Sequence, residues 1–168
     1  MRRAALITLA LSALFAPSMA AHAQERQTLG VYGEWAAFRD AEGPRCYAIV
    51  KPFSTHGAPQ FKSYASFGFW PKSQIRGQFY ARLSKPVGKG RELRLTIGSR
   101  RFILRGNGMH GWAGDKRMDA AILSALRTAE NMVVHGTTEN GATINDMYQL
   151  RGAATAVDAA ALGCANAS

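Results

Sequence analysis

No stretch of the sequence reaches the roughly 20 consecutive apolar residues that a membrane-spanning helix requires; the longest, Ala4 to Pro17, has 14. Cysteine is nearly absent. Cys46 and Cys164 are the only two and lie 118 positions apart, so there is no C-x-x-C redox motif. No serine sits in a G-x-S-x-G elbow and no glycine run matches a phosphate loop or dinucleotide fingerprint, so enzymatic and cofactor signatures are missing. Acidic residues are scarce, 11 against 21 basic. Internal repeats are lacking, and the only biased segment is an alanine run near the C-terminus.

What stands at the N-terminus is informative. Arg2 and Arg3 precede the apolar run, and Ala21-His22-Ala23 follows it. This layout predicts a secretory signal peptide over residues 1–23, with Ser18-Met19-Ala20 as a second cleavage site. One domain of 145 residues, 24–168, remains. No lipoprotein cysteine follows, and the twin-arginine context is missing, so the expectation is Sec export to the periplasm or beyond the cell. An oxidising compartment favours a structural Cys46–Cys164 disulfide.

The expected mature chain keeps 19 basic and 11 acidic residues, a net charge of +8. Between Arg76 and Arg105 lie nine basic residues against Glu92 alone. From Ile75 to Ser84 the sequence alternates, with Ile75, Gly77, Phe79, Ala81 and Leu83 on one face and Arg76, Gln78, Tyr80, Arg82 and Ser84 on the other. Gly98-Ser99 fits a two-residue type II′ turn. Counting back from it pairs Leu95 with Phe102 and Leu93 with Leu104 inside, and Arg94 with Ile103 and Glu92 with Arg105 outside. Shorter strands are expected at 34–39, 45–51, 64–70, 131–135 and 143–150. Asp115 reads as the N-cap of a helix with an apolar stripe at Met118, Ile122, Ala125, Leu126 and Ala129, and Asp119 falls in its first turn. A second, alanine-rich helix is expected from Ala153 to Leu162, stopping at Gly163. The fold class is mainly β: an antiparallel β-sandwich with two short helices packed on it.

Candidate chemistry is sparse. Asp115 and Asp119 have the i, i+4 spacing of paired carboxylates, but capping and dipole complementation account for both. His56, His110 and His135 share no ligand spacing and sit beside glycines, so no metal site is expected. Trp35, Trp70 and Trp112 could form an aromatic platform, yet each adjoins a strand or turn where core packing is the simpler reading. The outward arginines Arg76, Arg82, Arg94, Arg101 and Arg105 form a basic stripe. It is either a solvated face or the seat of an anionic partner such as lipopolysaccharide, peptidoglycan or an acidic protein. Export disfavours nucleic acid. The stripe also has only Tyr80 as an outward ring, unlike a single-strand platform.

The order of Trp35, Cys46-Tyr47 with Pro52, Trp70-Pro71, the Gly-Ser hairpin before Phe102, Gly111-Trp112, Met132-Val133-Val134, Asp146-x-Tyr148-x-Leu150-x-Gly152 and Cys164 resembles the invasion-associated locus B family, in a two-cysteine branch. The resemblance implies a secreted or periplasmic β-sandwich without known catalysis. The expectation is a non-enzymatic envelope or surface interaction protein that engages an anionic partner through its basic face. A periplasmic inhibitor or chaperone-like protein binding through the Lys51 to Gln60 loop is the alternative, and an envelope hydrolase a remote one.

Overall fold

The computed structural model of the chain describes residues 26–40 and 45–165. The expected signal peptide lies outside the described residues. Nine strands form one antiparallel sheet: β1 (Arg26–Tyr32), β2 (Trp35–Asp40), β3 (Arg45–Val50), β4 (Tyr64–Trp70), β5 (Ile75–Val87), β6 (Leu93–Ile97), β7 (Arg100–Trp112), β8 (Asn131–Thr137) and β9 (Thr143–Gln149). Their order is β1-β2-β3-β4-β5-β7-β6-β8-β9, so the sheet is open, with β1 and β9 at its edges. Two helices, α1 (Lys116–Leu126) and α2 (Ala153–Ala165), complete the fold.

The long strands β5 and β7 make the sandwich. Each has 13 residues. β5 pairs with β4 from Ile75 to Arg82, whereas β7 meets β5 through His110–Trp112 and β6 through Arg100–Leu104. The first half, β1 to β5, and the second half, β6 to β9, turn their apolar faces toward one core, where Trp35, Phe67 and Phe79 join Leu95, Met132 and Tyr148. The indole N–H of Trp35 donates to the Gln149 carbonyl at 2.8 Å, tying β2 to the end of β9.

The hairpin has the register counted from its turn: Leu93↔Leu104, Arg94↔Ile103, Leu95↔Phe102. Gly98 alone of the turn pair takes a positive φ, +55°. Glu92 falls outside β6, however, and approaches Arg94 at 3.4 Å rather than extending the ladder to Arg105. β5 also departs from simple alternation. A register shift beside Gly77 (φ +82°) sets Arg76 opposite Phe69 and Ile75 opposite Trp70. Ile75 therefore leaves the inward row, and the end of the strand is out of phase with its middle.

Asp115 caps α1 as expected, accepting from the Met118 N–H at 2.8 Å. Gly163 does not stop α2, which runs through Cys164 to Ala165. A Cβ at Gly163 would lie 2.5 Å from Leu29, so the glycine lets the helix approach β1 closely. Ala153, Ala156, Val157, Ala160 and Cys164 face the core at helical spacing. The Cys46–Cys164 disulfide is present, joining α2 to β3. No helix among the described residues is long and apolar enough to cross a membrane.

Candidate functional site

Because β2 to β5 bury alternate residues, the others point outward, and the strand register arranges them in rows across the sheet. One row runs Phe38, Tyr47, Gly68, Gln78. The next runs Ala36, Ile49, Ser66, Tyr80, Trp112. Tyr64, Arg82 and His110 form a third. Phe38, Tyr47, Ile49, Tyr64, Gln78 and Tyr80 from these rows, with Ser66 and Gly68 between them, line a shallow groove of about 640 Å³.

The rings are arranged for contact. Phe38 and Tyr47 lie 5.6 Å apart, Tyr64 and Tyr80 5.8 Å, and Tyr80 and His110 5.9 Å. The Trp70 indole lies over Gly68, where a Cβ would collide with the ring. Glycine here lets the indole approach the strand backbone closely. Tyr80 shares a hydrogen bond of 2.6 Å with His110 Nδ1. Burial, then the neighbouring Tyr64, pushes the Tyr80 hydroxyl up to about 12, so it stays neutral at physiological pH.

Cations rim one end. The Arg26 guanidinium sits 5.5 Å above Phe38 and the Arg45 guanidinium 5.1 Å above Tyr47, both in cation–π range. Beneath them is buried Asp40, which accepts from Arg45 Nε at 3.0 Å and lies 3.5 Å from Arg26. Two arginines against one carboxylate leave a net positive rim. The groove meets a second cavity of about 460 Å³ where Arg76 and Lys116 stand with Asp115, Asp119 and Trp112, the two sharing Gln78.

The arginine stripe is thus divided. Arg82 belongs to the aromatic face, Arg76 to the second cavity, and Arg94, Arg101 and Arg105 to the outward side of the second half. There the rows read Ile103, Arg94, His135, Asn145 and Arg101, Thr96, Val133, Met147, without one benzene or indole ring. Burial and the Arg94 charge hold His135 below its ordinary pKa. His110 and His135 lie within strands rather than turns, and His56 is an exposed loop residue. Of the tryptophans only Trp35 is core; Trp70 and Trp112 are half-buried on the aromatic face. That face is not legible locally, because its neighbours on β2 to β5 are brought together by strand register and not by position in the sequence.

The two aspartates of α1 act structurally. Asp115 is the cap, and buried Asp119 accepts the Phe79 N–H at 2.8 Å. Asp146, fully buried, accepts the Ser84 N–H at 2.9 Å. β7 pairs with β5 at residues 80–82 and again at Val87, so Phe79 lies just beyond the ladder and Ser84 in its gap. Each carboxylate supplies an acceptor where a strand would have done so.

No family model matches the sequence, and no curated protein matches it. In structure the chain is a mainly antiparallel β protein of a recognisable kind. It is similar to the crystal structure of invasion associated protein B from Bartonella henselae, with a TM-score of 0.57 and 15% identity, covering 79% of this chain and 94% of that one. At that identity the likeness shows the fold alone.

Proposed function

We propose that the chain is a non-enzymatic exported protein of the envelope or cell surface that holds an anionic partner on the outward side of its sheet. The observation that carries this reading is the cationic rim set against outward-facing, largely half-buried aromatic rings, with Asp40 already engaged by Arg26 and Arg45. A disulfide and a fold like that of invasion associated protein B support an extracytoplasmic setting. Co-sedimentation of mature protein with isolated envelopes at low and high salt tests it. Binding should fall steeply as salt screens the exposed charges; salt-independent retention overturns the anionic reading.

A protein partner held by the Lys51 to Gln60 loop is the second reading, favoured by Phe53, 57% exposed, and the adjoining Phe61, 44% exposed. Phe53 N–H donates to the Met147 carbonyl at 2.9 Å, so the segment is anchored to β9. Salt-insensitive binding lost in Phe53→Ser and Phe61→Ser assigns the site to this loop.

A further inference from the structure

Resting on the anionic-partner reading, we infer that the aromatic groove of the first half takes a glycan chain bearing sparse carboxylates. The Trp70 indole, half-buried beside Gly68 and lining the groove, offers a ring of the size that stacks on the C–H face of a pyranose. Around it stand neutral polar groups: the Tyr80 hydroxyl, the Ser66 hydroxyl and the Gln78 amide. These match a ligand rich in hydroxyls. Cationic groups are spaced rather than continuous: Arg26 and Arg45 share Asp40 at one end and leave it net positive, while in the adjoining cavity Arg76 and Lys116 stand beside Asp115 and Asp119. A nucleic acid strand, charged at every phosphate, calls for a continuous cationic track. An acidic peptide supplies carboxylates but not the run of hydroxyls that the neutral polar groups match. A sugar chain with occasional carboxylates satisfies the stacking face, the neutral donors and the separated charges together.

Hyaluronan octasaccharide, with a carboxylate on alternate sugars, is the probe; a neutral chitin octasaccharide and an eight-residue oligothymidylate are the comparisons. Calorimetric titration of the mature protein should show hyaluronan binding at least tenfold more tightly than either. Trp70→Ala should weaken it about tenfold, roughly 1.4 kcal/mol. Arg26→Gln should weaken it about threefold and flatten its salt dependence. Ser66→Tyr, which fills the floor without removing a core group, should abolish binding while the melting temperature and circular dichroism stay native, so a misfolded Trp70 variant leaves the test intact. Equal or tighter binding of oligothymidylate or of the neutral sugar overturns the inference, as does unchanged hyaluronan affinity in both groove variants. Loss of envelope binding in the Arg94/Arg101/Arg105→Gln triple variant, with the groove variants unaffected, refutes the groove but leaves an anionic partner on the second half. No salt-sensitive binding to envelopes or to hyaluronan refutes both.

Discussion

The two halves of the sheet obey the same inward rule and opposite outward ones. Inside, both alternate apolar residues into a common core. Outside, the first half carries Phe38, Tyr47, Tyr64, Trp70 and Tyr80, whereas the second carries Arg94, Thr96, Arg101 and Val133. Alternation dictates which residues face away from the core but places no demand on what they are. The outward chemistry is where a shared fold is free to differ, and here it has differed within one sheet. The halves are also braced differently. α2 packs on β1, β2 and β3 and is stapled to β3 by the disulfide, while the second half has no covalent tie.

The sharpest way to break this contrast is to remove the staple. Reduction, or Cys46→Ala with Cys164→Ala, should cost about 2–4 kcal/mol, and hydrogen exchange should rise in β1 to β3 well before β8 and β9. Thiol titration of unfolded, unreduced protein should find no free thiols. Equal loosening of both halves would mean the disulfide braces the whole sandwich.

Next comes the side-chain acceptor that holds α1 to β5. Asp119→Ala leaves the Phe79 N–H without its partner inside the protein, so denaturant unfolding should show a loss of about 1–3 kcal/mol. Asp115→Ala removes only a cap and should cost about 1 kcal/mol. Asn at position 119 retains an acceptor and should recover most of the loss.

A smaller effect tests the seam between the halves. Burial raises the Asp146 carboxyl above 3.8, so the folded chain keeps a proton that the unfolded chain has released. That contribution is full below about pH 3.8 and is lost as pH rises through the raised value. Relative to the natural protein, Asp146→Asn should therefore become progressively more stable as pH rises through this window, measured as melting temperature against pH. The smallest effect belongs to the Arg127–Asp158 pair at 2.6 Å, whose members are each about half exposed. Asp158→Asn should cost under about 1 kcal/mol.

The β6–β7 hairpin was legible because period-two alternation flanks a Gly-Ser turn, two local signals that agree. The disulfide was legible because only two cysteines exist. β1 was not: Arg26–Tyr32 is a largely polar edge strand interrupted by Gly30, and its pairing with β2 shifts between Thr28 and Gly30. β7 continues through Gly106, Gly108 and Gly111, which read locally as loop; a Cβ at Gly111 would lie 2.5 Å from Leu93, so the glycine admits a core side chain. The aromatic face escaped for a different reason. Its rows join residues of up to five strands, and their neighbours are set by register rather than by sequence. Asp119 escaped because its partner lies 40 positions away.

The carboxylates of α1 and β9 that accept from β5 have a consequence for the order of assembly. Phe79 receives its acceptor from a residue 40 positions downstream and Ser84 from one 62 positions downstream, while Cys46 waits 118 positions for its partner. During synthesis β5 is therefore present long before its hydrogen bonding can be completed, and β3 still longer before it is covalently tied. The central strand is finished from the C-terminal side, so a chain ended before β9 would carry an open amide at Ser84 and an uncovered inner face on β1 to β3, the kind of exposed apolar surface and incomplete pairing that invites aggregation.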